Sequence, residues 1–226
     1  KADVGLAFDG DADRVFVIDE KGQPVTPSAI AAIVSLSEIA RAKAKGETNI
    51  SVLHNLLTSK AVAEFIKSAG ATPIRTRVGH SLIKDEMAKT GAIFGGEHSA
   101  HYYFKDFYGA DSGMLAAMHV LRELGSQNKP LSEFASEFDP YFASGEINST
   151  VANAHDKLAQ IRAEYQGSPL DELDGITISS EPNSSPWWWF NVRSSNTEPL
   201  LRLNVESSDQ AACKALTDKL LGIIRS

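Results

Sequence analysis

Between Ser28 and Phe94 the chain repeats one rhythm, and that rhythm restricts the fold more than any other feature. Ser28–Ala44 reads as a long helix, with Pro27 near its start and Gly46 beyond its end. A strand at Ile50–Leu53, a helix at Ser59–Ala69, a strand at Thr72–Arg75, a helix at Ser81–Thr90 and a strand at Ala92–Phe94 follow with short connections. Strands separated by single helices run parallel, and such a sheet needs helices over both faces to bury it. The expected fold class is α/β, a mixed sheet sandwiched by helices. Further helices are expected at Asp111–Leu124 and Leu131–Phe138.

Near Asp139-Pro140 the rhythm changes. Strands at Ala143–Val151, Ile176–Ser180, Trp187–Arg193 and Leu200–Glu206 are joined mostly by turns such as Glu181-Pro182-Asn183-Ser184, with helices only at Ala154–Tyr165 and Asp209–Arg225. That pattern predicts a smaller α+β domain with an antiparallel sheet. At the other end, Val4–Phe8 and Arg14–Asp19 read as two strands closing on an acidic loop. The chain starts at Lys1, only a few residues before this loop, which suggests a piece of a longer protein. The expected organisation is residues 1–24 as the terminal hairpin of a preceding, missing domain, 25–138 as an α/β domain and 139–226 as an α+β domain.

Composition removes some function classes. A net charge of −7 over 226 residues argues against a general nucleic-acid or membrane-surface role, since neither anionic partner gains from an acidic protein. The single cysteine, Cys213, cannot form an intrachain disulfide and lies in a predicted helix interior, so it reads as a buried thiol. No apolar run approaches a membrane span and no signal-peptide pattern is present, so a cytoplasmic location is expected.

Three constellations carry chemistry. In Asp9-Gly10-Asp11-Ala12-Asp13-Arg14 three carboxylates alternate along a tight loop. They repel one another unless a cation sits among them, and hard oxygen donors at this density suit Mg²⁺ rather than zinc. Arg14 beside them can meet a phosphate bidentately. A calcium EF-hand would need glycine where Arg14 stands, and helices rather than strands on its flanks. A phosphatase using Asp9 as nucleophile and a plain solvated acidic turn are further alternatives. The second constellation, Gly95-Gly96-Glu97-His98-Ser99-Ala100-His101, follows a buried strand, so its polar groups emerge where open α/β sheets bind ligands. Glu97, Ser99 and the histidines can bind sugar hydroxyls and move protons, or form an ordinary polar loop. Upstream, Gly79-His80-Ser81 opens a helix whose backbone N–H groups can hold an anion. The third, Arg193-Ser194-Ser195-Asn196-Thr197-Glu198-Pro199, lies between two apolar strands and offers a guanidinium, hydroxyls, an amide and backbone N–H groups to a phosphate, or is a polar hairpin turn. Trp187-Trp188-Trp189-Phe190 reads mainly as core, because a strand sends alternate rings to opposite faces.

Taken in order, these loops resemble those of the α-D-phosphohexomutase superfamily, most closely its phosphomannomutase and phosphomannomutase/phosphoglucomutase members. Asp-Gly-Asp-x-Asp-Arg is similar to the family's Mg²⁺ loop, Gly-Glu-x-Ser to its sugar loop and Arg-x-Ser-Asn-Thr-x-Pro to its C-terminal phosphate loop; Gly79-His80-Ser81 also matches. The resemblance covers nearly the whole chain, as the last two domains and the final hairpin of the one before. It implies reversible phosphate transfer between the 1- and 6-positions of a mannose or glucose phosphate, through a phosphoserine and a 1,6-bisphosphate. Asp9, Asp11 and Asp13 would hold Mg²⁺, with Arg14 beside the phosphoserine. Glu97 and Ser99 would bind the sugar's 3- and 4-hydroxyls, His80 would orient the sugar and His101 would transfer a proton. Arg193, Ser195, Asn196 and Thr197 would grip the phosphate not being transferred.

Three departures stand out. The serine loop of the type Thr-Ala-Ser-His-Asn-Pro is absent, so the chain alone is expected to be inactive, with a non-catalytic sugar-phosphate-binding piece as the alternative. Ala100 stands where glycine often completes the sugar loop, and His54-Asn55-Leu56-Leu57 where many members carry a lysine, with Arg75 and Arg77 as the candidate substitutes.

Overall fold

The computed structural model describes residues 2–195 and 198–226, divided into two compact units between Pro140 and Tyr141. The first unit begins with β1 (Val4–Phe8) and β2 (Val15–Asp19), an antiparallel hairpin in register from Val4↔Asp19 to Phe8↔Val15. Helix α1 (Pro27–Ala44) starts where the Thr26 side chain accepts a hydrogen bond from the Ala29 N–H, and Pro27 occupies the first turn, where no N–H is required. Then follow β3 (Ser51–Asn55), α2 (Lys60–Ser68), β4 (Thr72–Thr76), α3 (His80–Thr90), β5 (Phe94–Gly96), β6 (Tyr102–Phe104), β7 (Ala110–Asp111), α4 (Gly113–Gly125) and α5 (Leu131–Ser136).

The sheet runs β4-β3-β5-β6-β7; β3 is parallel to β4 and β5, whereas β5-β6 and β6-β7 are antiparallel. It is the expected mixed sheet. Strand alternation splits the core. Val52, Phe94, Tyr102 and Phe104 pack with α1, α2 and α4, while Leu53 and Tyr103 face Ile83 and Met87 of α3. Helix α1 is buried along most of its length, including Glu38. That carboxylate is tolerated because Arg41 Nη2 and His119 Nε2 lie 2.8 and 3.1 Å from it. Burial pushes its pKa up, but the hydrogen bonds from His119 and Arg41 outweigh it and the net shift is down.

Two strand limits differ from expectation. β3 runs on to Asn55, and β5 lies at Phe94–Gly96 rather than Ala92–Phe94. Glycine disfavours strands, but here the approach of α1 demands it: a Cβ at Gly96 would stand 2.8 Å from the Ala31 Cβ. The returning strands β6 and β7 were not anticipated, being only three and two residues long.

The second unit contains β8 (Phe142–Ala143), β9 (Ile147–Thr150), α6 (Ala154–Glu164), β10 (Leu170–Asp171), β11 (Ile176–Ser179), β12 (Trp188–Ser194), β13 (Leu200–Ser207) and α7 (Gln210–Arg225). Its sheet is antiparallel throughout, in the order β10-β11-β12-β13, with β8 and β9 both on the far side of β13. The single strand expected over Ala143–Val151 is in fact two, broken at Gly145, whose φ of +68° no extended strand can hold. Phe190, Val192, Leu201, Leu203 and Val205 bury one face against Ile161 of α6 and Leu220 and Ile224 of α7, and Cys213 is buried with them. The opposite face carries Trp189↔Glu206, Asn191↔Asn204 and Arg193↔Arg202 as cross-strand pairs. The tryptophan run therefore divides as its alternation requires: Trp188 packs against the core, and Trp189 Nε1 donates to Glu206 Oε2 at 2.6 Å.

Candidate active site

The acidic loop joins β1 to β2, and its shape comes from its backbone. The Ala12 N–H reaches the Asp9 carbonyl at 3.2 Å, and Ala12 itself is left-handed at φ +59°. Carboxylate oxygens of Asp9, Asp11 and Asp13 lie within 4.8 Å of one another as a result. Arg14 folds back on the loop, its N–H donating to Asp9 Oδ1 at 3.2 Å and its Nε to Asp9 Oδ2 at 2.7 Å. This hydrogen bond holds the Asp9 carboxyl below its usual pKa. Asp13 moves the other way, raised by burial and by the charges of Asp11 and Asp9 against the pull of His101. Asp13 Oδ1 is buried without a hydrogen-bond partner among the described residues. An oxygen-only donor set with one orphaned carboxylate oxygen fits a hard divalent cation.

Helix α4 abuts this loop. The Gly113 N–H donates to the Ala12 carbonyl at 3.1 Å, and a Cβ at Gly113 would sit 2.5 Å from the Arg14 backbone. No side chain fits there, so glycine is what lets the positive end of α4 meet the carboxylate loop.

The second constellation spans the turn from β5 to β6. Its backbone is closed by Glu97 N–H to the His101 carbonyl and Ala100 N–H to the Glu97 carbonyl, at 3.0 and 3.1 Å. Ala100 is left-handed at φ +68°, a conformation that glycine adopts at lower cost. His101 makes an isolated bridge with Arg14, and its ring lies between two loops. Nε2 is 3.7 Å from Asp13 Oδ1; Nδ1 is 3.1 Å from Ser99 Oγ and 3.8 Å from Glu97 Oε2. Ser99 is exposed, whereas the Glu97 side chain is only 2% exposed. His98 Nδ1 lies 3.5 Å from Ser28 Oγ at the start of α1.

The helix start at Gly79-His80-Ser81 already faces an anion, because the Gly79 N–H donates to Glu97 Oε1 at 3.3 Å. His80 is the first residue of α3, and its side chain lies outside what the structure describes. Where the lysine was missed, His54 and Asn55 end β3 as buried groups. Arg75 and Arg77 are both exposed. The motifs assign no role to four residues here. Asn55 and Tyr103 bond Glu97, and Lys84 Nζ reaches Asp111 Oδ1 at 2.9 Å and lies 5.9 Å from the Tyr103 ring centre. The signal was faint: Tyr102-Tyr103-Phe104 has strong strand character directly after the loop.

His54 donates a pH handle to this region. Its ring is buried and hydrogen-bonded to Thr58 Oγ1 at 2.9 Å; burial, aided by the nearby Arg75 charge, lowers its pKa to about 4. The unfolded chain binds the proton from about pH 6.5 downwards. Stability is therefore complete above that value and is lost as pH falls toward about 4. Between pH 7 and pH 5 this amounts to about 2 kcal/mol. Urea midpoints should fall more steeply over that interval in the wild type than in a His54→Gln variant.

In the second unit, Arg193 lies near the end of β12 and Ser195 directly after it, the Ser195 N–H bonding the Leu200 carbonyl at 3.0 Å. Asn196 and Thr197 lie outside the described residues. Glu146, unanticipated from sequence, bridges two guanidiniums: Oε2 accepts from Arg193 Nη2 and Oε1 from Arg202 Nη1, both at 3.0 Å.

A mixed α/β unit followed by an antiparallel α+β unit is the architecture of the C-terminal part of the phosphohexomutase superfamily. A family model for phosphoglucomutase/phosphomannomutase alpha/beta/alpha domain III matches residues 26–141, and one for the C-terminal domain of the same proteins matches residues 146–223. The chain belongs to the phosphoglucomutase/phosphomannomutase family. It is 38% identical over 222 residues to a phosphomannomutase of Methanocaldococcus jannaschii, covering 98% of this chain and 47% of that protein. Against a phosphomannomutase of Escherichia coli K12 the identity is 37% over 227 residues, covering 99% and 48%. Among solved structures, a family protein from Burkholderia thailandensis superposes with a TM-score of 0.81 at 26% identity, covering 99% of this chain and 47% of that one. The fold is shared by an Aspergillus fumigatus N-acetylphosphoglucosamine mutase in complex with GlcNAc-6P and magnesium, at a TM-score of 0.68 and 14% identity, covering 97% and 48%. The chain spans about half the length of the curated relatives it matches. Among the described residues no helix is long and apolar enough to cross a membrane.

Proposed function

We propose that the chain is the C-terminal part of a phosphomannomutase-type enzyme that interconverts hexose 1-phosphate and hexose 6-phosphate. The placement of His101, between the carboxylate loop and Ser99 and Glu97, carries this reading. A single imidazole touching both groups suits a reaction in which a sugar hydroxyl loses its proton beside the phosphoryl centre.

In this reading the hairpin β1–β2 closes a preceding domain that carries a phosphoserine, residues 25–138 bind the sugar and residues 139–226 bind phosphate. Asp9, Asp11 and Asp13 hold Mg²⁺, which when bound neutralises charge on the transferring phosphoryl group. Arg14, its Nε committed to Asp9, turns its terminal nitrogens to the phosphoryl oxygens. Glu97 and Ser99 bind the 3- and 4-hydroxyls, and His80 orients the ring. His101 takes the proton of the attacking sugar hydroxyl as that oxygen bonds phosphorus; the serine O–P bond breaks with its electron pair on the serine oxygen, which is then protonated, and in the second transfer, back to the serine, His101 gives a proton to the sugar oxygen that leaves. A bisphosphorylated sugar, a mannose or glucose 1,6-bisphosphate, is then the intermediate. Arg193, Ser195, Asn196 and Thr197 grip the other phosphate. Asp9 suits ligation better than nucleophilic attack, because both its oxygens already accept from Arg14.

The test compares this chain with the full-length protein in an assay with mannose 1-phosphate. Turnover is expected only from the full-length protein, and turnover by residues 1–226 alone would refute the assignment of the serine to the other half. A phospho-aspartate trapped at Asp9 would instead establish a phosphatase.

A further inference from the structure

We propose that Tyr103 and Asn55 are positioning residues that aim the Glu97 carboxylate at its sugar hydroxyl. The inference rests on the reading of Glu97 as a sugar ligand given above. Glu97 is nearly enclosed, so protein donors rather than solvent decide where its oxygens point. The Tyr103 hydroxyl donates to Oε2 at 2.8 Å, and Asn55 Nδ2 and the Gly79 N–H both donate to Oε1 at 3.3 Å. A carboxylate offers about four acceptor positions. Three are taken, and the fourth is on Oε2, the oxygen that lies 3.8 Å from His101 Nδ1. The one acceptor position that the hydrogen bonds leave unused is thus on the oxygen beside the group assigned to move the proton.

Each positioning residue is itself held. Tyr103 is buried against α3, and burial with the adjacent Glu97 charge pushes its phenol pKa upward, so it stays a donor. Asn55 Oδ1 accepts from the N–H groups of Leu57 and Thr58 at 3.1 Å each and of His98 at 3.5 Å. With its oxygen committed to backbone donors, its NH₂ must face Glu97. The end of β3, the loop before α3 and strand β6 therefore converge on one carboxylate.

Two substitutions in the full-length protein separate positioning from folding. Tyr103→Phe keeps the ring and deletes one donor. Asn55→Asp keeps the acceptor for Leu57, Thr58 and His98 but sets a carboxylate against Glu97. With mannose 1-phosphate as substrate, Tyr103→Phe should raise KM about 10-fold and Asn55→Asp about 30-fold, with kcat changed less than about threefold. In a Glu97→Gln background Tyr103→Phe should add no further loss, because both act through the same oxygen. Unchanged KM in both variants beside an impaired Glu97→Gln, or a lower melting temperature with unchanged KM, overturns the positioning role and leaves the sugar-binding role standing. Wild-type kinetics in Glu97→Gln overturns the sugar-binding role and this proposal with it.

Discussion

Replacing Arg193 with alanine in the full-length protein is expected to lower kcat/KM for mannose 1-phosphate by about 10³-fold, mostly through KM. The argument is one of local charge. Arg193 and Arg202 face each other across β12 and β13 with Glu146 between them, a net charge of one positive unit. Alanine removes that unit, so a phosphate dianion would approach a neutral pair. If Arg193 grips the phosphate as proposed, alanine also removes two charge-assisted hydrogen bonds to it, worth about 4 kcal/mol together, or about 10³-fold. The fold should persist, because Glu146 keeps its bond to Arg202. Arg193→Lys retains a point charge without the fork and should lose about 30-fold. Steady-state kinetics with melting curves on all three proteins decide the matter: an Arg193→Ala enzyme with wild-type KM removes this residue from phosphate binding.

The second large effect is at Asp13. Asp13→Asn is expected to weaken Mg²⁺ binding by about two orders of magnitude and to lower kcat about 10²- to 10³-fold, partly restored by excess metal. Its signature is that metal-free stability should move the other way. The folded state holds the Asp13 carboxylate in a site where burial and two neighbouring carboxylates disfavour its charge, and Oδ1 lacks a hydrogen-bond partner among the described residues. An amide of the same shape relieves the repulsion, so the metal-free variant should melt higher and gain less on adding Mg²⁺. Melting curves with and without Mg²⁺, and a Mn²⁺ binding isotherm, measure this without reference to turnover. Equal Mg²⁺-induced stabilisation of wild type and variant would show that Asp13 holds no metal.

Much of this molecule can be read from its residues in order, because strand and helix periodicity and turn chemistry act over a few neighbours. The alternation from Ser28 to Phe94 suffices for a helix-covered sheet, and period-two patterning divides Trp188 from Trp189. The broken strand around Gly145, the shifted β5 and the short β6 and β7 escape such reading. They depend on contacts between distant segments: a glycine is required at position 96 only because Ala31 arrives there, and at 113 only because Arg14 does.

The candidate site divides in the same way. By itself the sequence determined which loops are chemically equipped, since carboxylate spacing and donor type are local properties. Only the tertiary structure decided which way their groups point. Asn55 at the end of β3, Tyr103 within β6 and the Gly79 N–H before α3 come together to fill three acceptor positions of Glu97, and Glu146 crosses to a pair of arginines nearly fifty residues away or more. A buried carboxylate takes its orientation from whichever donors packing brings to it, and packing partners are a property of the folded chain rather than of any window within it.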